Sequence, residues 1–164
     1  MVRAALLDPL GLEQTWYHSH EAPLSDAVAD AWVGDHSVWG TAALSMDWAG
    51  GGLVTTADDL AVFLRGLEAG DPVDLSALEG GWTEDALTRG IDYGYGLWRV
   101  DPRGVSRLLR GPEMIGVSGV TGSFAYLVPE HDAVITGTFD QTDFSEDHIV
   151  FLLTRVLPTL DRVE

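Results

Sequence analysis

The residues best suited to chemistry lie between two apolar runs, at positions 116–124 (Gly-Val-Ser-Gly-Val-Thr-Gly-Ser-Phe). Three glycines and three small hydroxyl residues in this stretch allow a second backbone or a ligand to approach the chain closely. The flanking runs, 107–115 and 123–128, are rich in residues that favour β-strands. A glycine-containing strand edge of this kind can pair with a peptide-like substrate. The alternative interpretation is a β-turn or bulge that binds no ligand.

The composition excludes several classes of function. The chain of 164 residues carries 26 acidic and nine basic side chains, for a formal net charge of −17. Nucleic acid and anionic membrane surfaces are therefore not expected partners, because both require a basic patch. All nine basic residues are arginines, and the sequence has no Lys, Asn or Cys. This excludes disulfides, thiol nucleophiles, thiolate metal sites and lysine general bases.

The length and the charge also bear on domain organisation and source. A length of 164 residues suits one domain, which we predict to span 1–164. No apolar run approaches the ~20 residues needed to cross a bilayer, and the first residues lack the features of a signal peptide, so the compartment stays open. An acidic chain without Lys suits a protein kept soluble at high salt, which makes a halophilic source a hypothesis. A GC-rich genome is the alternative explanation.

Hydrophobic spacing predicts the elements that would position the glycine-rich stretch. The clearest is a helix that begins after the N-cap Thr56 and stops at Gly70, with Asp58 and Asp59 in its first turn, where the helix dipole favours anions. The remaining predictions are a helix end at 6–15 broken at Asp8-Pro9, a loop over 16–47, short helices near 75–78 and 83–88, strands at 93–100, 105–109, 114–118, 123–128 and 133–139, and a helix over 146–160.

Several residues invite a functional reading but have simpler explanations. Tyr93, Tyr95 and Trp98 could line a groove, yet alternating strand aromatics are more often core residues. The acidic pair Glu146–Asp147, like Asp58 and Asp59, is expected to interact with a helix dipole rather than to catalyse a reaction. His18, His20 and Glu21, with Asp35 and His36 further along, could hold a metal, but we predict loop histidines and no metal site.

Taken together, the motifs resemble the C-terminal part of serine β-lactamases and penicillin-binding-protein-like hydrolases, a family that includes esterases and D-aminopeptidases. The matching segments are PLGL at 9–12 with Thr15, AGGGLVTTADDL at 49–60, YGYGLW at 93–98, GVSGVTGSF at 116–124 and PEHDAVITGTFDQ at 129–141. Their order and spacing agree with the family. The resemblance implies a partial α+β domain in which an antiparallel sheet of three to five strands packs against a C-terminal helix and a helical insertion.

The departures from the family pattern decide what the resemblance implies about activity. The family's Ser-x-x-Lys nucleophile and Tyr-x-Asn motif cannot exist in a sequence without Lys and Asn. The third motif begins with His or Lys in the family, whereas here the triplet is Val117-Ser118-Gly119. We therefore assign no catalytic residue, and Ser118 is not expected to act as a nucleophile, because nothing near it in sequence supplies a base.

The resemblance also suggests a binding role for the triplet. Val117, Ser118, Gly119 and Val120 would form the substrate-binding stretch, with the Val120 N–H as an oxyanion-hole donor and Ser118 as a partner for a ligand carboxylate. The alternative for Ser118 is a hydroxyl bonded within its own sheet.

Three functions remain open at this stage. The chain is a hydrolase fragment that is inactive alone, a subunit complementing an N-terminal half, or a non-catalytic binding or regulatory module in the old groove. The expected ligand is a small peptide-like compound, a β-lactam or an ester, with no cofactor. Incompletely covered apolar surface predicts homo-oligomers or pairing with the complementary half.

Overall fold

The computed structural model of the chain describes residues 2–46, 48–71, 73–78, 81–142 and 147–160. The helices are α1 (Arg3–Leu7 continuing directly into Asp8–Leu10), α2 (Ala42–Ser45), α3 (Ala57–Ala69), α4 (Leu75–Leu78), α5 (Pro102–Val105) and α6 (Asp147–Phe151, Leu152–Val156 and Leu157–Leu160 in unbroken succession). The strands are β1 (Trp16–Tyr17), β2 (Trp32–Val33), β3 (His36–Ser37), β4 (Leu53–Val54), β5 (Thr83–Thr88), β6 (Ile91–Gly94), β7 (Leu97–Val100), β8 (Met114–Ser118), β9 (Phe124–Val128) and β10 (Ala133–Gly137). Short 3-10 turns occupy Trp48–Gly50 and Pro129–His131.

The central sheet is an antiparallel meander of six strands, β5 to β10, each paired with its neighbour in sequence. Strand β9 lies inside the sheet, between β10 and β8, and all five of its residues are buried. Phe124, Tyr126 and Val128 point to the face covered by α6, whereas Ala125 and Leu127 point to the face covered by α3. Alternation on a strand with two covered faces produces a continuous apolar run rather than a polar–apolar pattern.

Helix α3 begins and ends as its sequence predicts. The Thr56 hydroxyl accepts a hydrogen bond from the Asp59 N–H, and Gly70 adopts a left-handed conformation after the last turn. Asp59 does more than interact with the dipole, because its nearly buried carboxylate accepts hydrogen bonds from the Gln14 N–H (2.9 Å) and the Thr15 hydroxyl (2.6 Å). These contacts connect α3 to the segment that follows α1.

Residues 16–47 form the predicted loop with short pieces of structure, so far as the structure describes them. β1 pairs with β4, and β2 pairs with β3, in two-residue ladders. The loop is held to α1 by Arg3, whose guanidinium donates to both carboxylate oxygens of Glu21 at 2.7 and 2.6 Å. The Tyr17 N–H donates to the same carboxylate.

Four element predictions were wrong. Residues 83–88 form β5 rather than a helix, because they pair with β6 at both ends of a bulged register. Residues 93–100 do not form one strand: a turn at Tyr95–Gly96 folds them into the hairpin β6–β7. Residues 102–105 form a helical turn capped by Asp101, so the strand predicted over 105–109 does not exist. These additions make the sheet six-stranded instead of three- to five-stranded.

The fourth correction concerns proline. α1 passes through Asp8-Pro9 without a break, because the preceding turn is wide and the Asp8 N–H bonds to the Arg3 carbonyl five residues back. A wide turn of this kind leaves space for the proline ring. α6 uses the same arrangement, with the Leu157 N–H bonded to the Leu152 carbonyl ahead of Pro158.

The predicted start of this helix at Glu146 lies outside the described residues, as does the environment of the Glu146–Asp147 pair.

The predicted fold class is confirmed as an α+β domain with an antiparallel sheet packed by a C-terminal helix. None of the helices within the described residues is long and apolar enough to cross a membrane.

Candidate functional site

The glycine-rich stretch is the connection between β8 and β9, and hydrogen bonds close it into a defined turn. The Gly119 N–H donates to the Ser123 carbonyl at 2.7 Å, and the Gly122 N–H donates to the Gly119 carbonyl at 3.0 Å. Gly122 has a φ of +82°, which side chains disfavour, and its carbonyl accepts from the Phe139 N–H at 3.1 Å. The turn is therefore fixed at both its base and its tip.

Gly116 is required for the strands to come together at this point. A Cβ added to Gly116 would lie 2.0 Å from the Ala125 carbonyl oxygen and 2.7 Å from the Tyr126 Cα. No side chain fits there, so glycine permits the close approach of β9 that places Tyr126 beneath the end of β8. The close approach of a second backbone that the glycines predicted is, at Gly116, an approach of the neighbouring strand β9.

Three polar side chains meet under the end of β8, on the face covered by α6. The Ser118 Oγ lies 2.5 Å from the His148 Nε2 and 2.7 Å from the Tyr126 hydroxyl. Tyr126 and His148 are fully buried, and Phe124 stacks on the imidazole with ring centroids 5.9 Å apart. The three elements β8, β9 and α6 thus each contribute one member of a hydrogen-bonded group.

The electrostatics of this group follow from burial. Burial raises the pKa of Tyr126 to about 12, although the hydrogen bond with Ser118 opposes the shift. Tyr126 is therefore a neutral hydroxyl at physiological pH. A serine hydroxyl can make three hydrogen bonds, one as donor and two as acceptor. Tyr126 and His148 account for two of these, which leaves one for a further partner.

Two apolar side chains of the same turn are exposed to solvent. Val117 and Val120 are 41% and 71% exposed. Val117 points away from Ser118, because successive strand residues face opposite sides. The Val120 N–H donates to no acceptor in the part of the chain that the structure describes. A backbone N–H without an acceptor, two residues after a hydroxyl with remaining hydrogen-bonding capacity, is a candidate donor to an anionic oxygen.

The structure places the four predicted binding residues, Val117, Ser118, Gly119 and Val120, together in one turn. Sequence reasoning missed Tyr126 and His148. The sequence predicted that Ser118 is not a nucleophile, because no base lies near it in the chain. The fold nevertheless brings the His148 imidazole, 30 residues away in sequence, to the Ser118 hydroxyl. A signal existed, since His148 lies four residues before the buried Leu152, within the apolar stripe of α6. A polar residue in such a stripe needs a polar partner.

The other candidate groups lie elsewhere. The prediction that Tyr93 and Tyr95 are core residues was wrong, since they are 43% and 66% exposed. Tyr95 lies in the turn between β6 and β7, outside the ladder, whereas Tyr93 lies in β6 next to that turn; Trp98 packs against the core as predicted. Among the described residues no three His, Asp or Glu side chains converge as in a metal site. His20 instead stacks on Trp48, with ring centroids 3.9 Å apart.

A six-stranded antiparallel sheet between α3 and a C-terminal helix, with a glycine-rich turn at the end of an inner strand, has the architecture of the β-lactamase and transpeptidase class. The sequence model of the beta-lactamase family matches residues 1–154, and the chain belongs to that family. No curated protein sequence matches the chain.

Solved structures agree on the fold. The chain is similar to a D-stereospecific amidohydrolase from Streptomyces sp. (TM-score 0.69, 18% identity, 94% of this chain and 47% of that one). It is also similar to the D-amino acid amidase from Ochrobactrum anthropi SV3 complexed with L-phenylalanine (TM-score 0.69, 20% identity, 99% and 52%). A third is the octameric penicillin-binding protein homologue from Pyrococcus abyssi (TM-score 0.61, 21% identity, 98% and 40%). The chain spans about half the length of the solved relatives it matches.

Proposed function

We propose that these 164 residues form one domain that supplies the substrate groove of a β-lactamase-related serine hydrolase. Acyl transfer in that hydrolase requires a Ser-x-x-Lys nucleophile and a Tyr-x-Asn motif, neither of which the 164 residues contain. The chain alone is then expected to bind substrates without turning them over. The substrate is a small acyl compound: a D-amino-acid amide or peptide, a β-lactam or an ester.

The observation that carries the proposal is the pair of groups at the end of β8. The Val120 N–H has no acceptor within the described residues, and the Ser118 hydroxyl retains one hydrogen-bonding position. Together they can hold a carbonyl or carboxylate oxygen. An oxyanion-hole donor of this kind contributes about 100–1,000-fold to rate when a nucleophile is present.

The substrate class is supported by the similar structures and by the shape of the turn. Two of the solved relatives are named for D-amino acid or D-stereospecific amide hydrolysis. The exposed Val117 and Val120 would contact an apolar substituent on the ligand, since they provide no charge. The apolar Val117 stands where the family has a basic residue, which weakens binding of an anionic substrate end.

The test is a binding measurement at residue resolution. A ¹⁵N-labelled chain is titrated with D-phenylalanine amide, benzylpenicillin and phenyl acetate while product formation is followed in parallel. We expect amide shifts at 117–122 for at least one compound and no product. Shifts confined to other parts of the chain, or turnover of any of the three compounds, would overturn the proposal.

A second function, a non-catalytic binding module, is favoured by Val117 itself, because a rejoined active site would still lack the basic group. A complementation experiment distinguishes this binding module from a subunit that completes a hydrolase. The chain is co-expressed with a polypeptide that carries Ser-x-x-Lys and Tyr-x-Asn segments from a D-amino acid amidase, with and without Val117→His. Activity that rises with histidine at this position supports a hydrolase groove; binding without activity in either form supports the module.

We also propose that the chain associates with another polypeptide, either a second copy or the complementary half. β10 is an edge strand whose outer side pairs with no strand in the described part of the chain, and its five residues are only half-buried. Such an edge can add a strand from a partner. The similar penicillin-binding protein homologue is described as octameric. Light scattering after size exclusion tests association, and a monomer that binds no apolar dye would contradict it.

A further inference from the structure

The loop between β7 and β8 has a charge opposite to that of the rest of the protein. Residues 101–113 contain three arginines and two acidic residues, Asp101 and Glu113 at the ends, whereas the rest of the chain has six arginines against 24 acidic residues. A random acidic surface would surround these arginines with carboxylates. Their segregation into one segment is therefore a feature that needs its own explanation.

Arg103, Arg107 and Arg110 line one open surface cavity of about 250 Å³, and all three are exposed to solvent. The Arg110 guanidinium is held in place, since it donates to the Arg107 carbonyl at 2.6 Å and the Leu109 carbonyl at 2.7 Å. None of the three forms an ion pair with a carboxylate within the described residues, in contrast to Arg3, Arg65 and Arg99.

The walls of the cavity are anchored to the core. Asp101 accepts hydrogen bonds from the Arg103 N–H and the Gly104 N–H, both at 2.9 Å, and so fixes the start of the loop. Gly104 packs directly against Gly90, where a Cβ would lie 2.7 Å from the Gly90 Cα. At the other end Leu109 packs against the cluster beneath α6, and Pro112 is buried. The three guanidinium groups thus project from a rigid support.

We propose that this cavity binds a phosphate group, either as inorganic phosphate or as the phosphate of a small monoester. Three guanidinium groups around one cavity repel one another unless an anion lies between them, and planar guanidinium donors match the geometry of a phosphate. The cavity is lined by the three arginines, with no aromatic side chain to stack on a base, which favours a small anion over a nucleotide.

The site is separate from the groove. The loop leads into Met114 at one end of β8, and Ser118 lies at the other end, about 14 Å away at the rise of an antiparallel strand. Phosphate binding therefore does not depend on the groove or on the proposed hydrolase function. Salt screens the repulsion between a dianion and carboxylates more than about 8 Å away at physiological ionic strength. The Asp101 carboxylate at the start of the loop is the nearby negative charge that the three arginines must outweigh.

Isothermal titration of the full chain with inorganic phosphate, glycerol phosphate and citrate, at constant ionic strength in chloride, tests the proposal. We expect saturable binding of phosphate or of the monoester, weakened about tenfold by Arg107→Gln and by Arg110→Gln. Tighter binding of glycerol phosphate than of phosphate assigns the site to a monoester, and the reverse order assigns it to the free ion. The control is Arg155→Gln. Arg155 is exposed on α6 and does not line the cavity, so this change removes the same charge and should leave the affinity unchanged.

Three outcomes would overturn the proposal. The first is no saturable binding of either phosphate compound in the millimolar range. The second is an equal loss of affinity in Arg155→Gln, which would indicate the overall charge rather than a site. The third is that Arg107→Gln changes only self-association measured by sedimentation, which would assign the loop to the acidic surface of a second copy. Thermal unfolding of each variant verifies that the folded protein is compared.

Discussion

The Ser118 hydroxyl and the His148 imidazole lie 2.5 Å apart at the junction of β8 and α6, although 30 residues separate them in the chain. The contact joins the groove-forming turn to the C-terminal helix, and Tyr126 completes it from β9. In the groove that we propose, the Ser118 hydroxyl is pre-organised by two fully buried groups, because it does not need to be ordered when a ligand binds.

Ser118→Ala should lower the free energy of unfolding by about 1–3 kcal/mol, because it leaves the buried Tyr126 and His148 without this partner. Urea denaturation measures the loss. Tyr126→Phe combined with Ser118→Ala should cost less than the sum of the two single changes, since they remove the same hydrogen bond. The control is Ser37→Ala, an exposed strand-end serine, for which a change of no more than about 0.5 kcal/mol is expected. Equal losses at both serines would show that the buried group adds no stability.

Glu21 should make the protein sensitive to acid. The bidentate Arg3 guanidinium, aided by the Tyr17 N–H, lowers the pKa of Glu21 from its ordinary 4.5 to about 2. The folded state therefore binds this proton less readily than the unfolded state, so the stabilisation is complete above pH 4.5 and is lost as the pH falls towards 2. Solvent screening of the partly exposed pair reduces the expected contribution to about 1–2 kcal/mol.

The corresponding measurement compares unfolding of the parent and Glu21→Gln at pH 6, 4 and 2.5. The difference between the two stabilities should be largest at pH 6 and should shrink at pH 4 and again at pH 2.5. Glu13→Gln controls for the removal of one negative charge from an exposed position. A constant difference across the whole range would mean that the ion pair does not form.

Asp59→Ala and Asp58→Ala separate the two roles assigned to the acidic start of α3. Both changes remove a charge from the first turn, but only Asp59 is nearly buried and bonded to Gln14 and Thr15. We expect a loss of about 1–3 kcal/mol for Asp59 and about 0.5 kcal/mol for Asp58. Chemical denaturation measures both losses. Similar losses of unfolding free energy in the two variants would mean that Asp59 interacts only with the helix dipole.

Gly116→Ala should disrupt the pairing of β8 with β9, because its Cβ would lie 2.0 Å from the Ala125 carbonyl oxygen. Since the neighbouring atom is backbone, the strands must separate, and the expected cost is about 3 kcal/mol or more. Gly50→Ala is the matched control, for a Cβ there meets no atom within 4 Å and φ is not positive. Circular dichroism and thermal unfolding of both variants measure the effect. A well-folded Gly116→Ala protein of unchanged stability would show that the sheet does not pack so closely here.

Salt should stabilise the protein if its acidity is an adaptation to high salt. With a net charge of −17, repulsion among surface carboxylates opposes folding at low ionic strength and is screened as salt is added. We expect the midpoint of thermal unfolding to rise between dilute buffer and molar NaCl. An unchanged midpoint would remove the support for a halophilic source and leave genomic composition as the explanation.

The sequence by itself determined the features that depend on neighbouring residues. The boundaries of α3 follow from a capping threonine, two acidic residues and a terminal glycine, all within reach of the helix ends they stabilise. The buried strand β9 and the glycine-rich turn follow in the same way from short apolar runs and small side chains. The family motifs also predicted the fold class, because their order along the chain reflects the order of the helices and strands.

Only the tertiary structure decided what depends on distant partners. Residues 83–88 are a strand because β6 lies beside them, and local propensity does not contain that information. Tyr95 is exposed because a two-residue turn reverses the chain between β6 and β7. His148 lies beside Ser118 because the sheet and α6 pack on a shared core. Hydrogen bonds between residues that far apart form only after the apolar faces have brought them together, so the polar group is a product of the fold and cannot be inferred from local sequence.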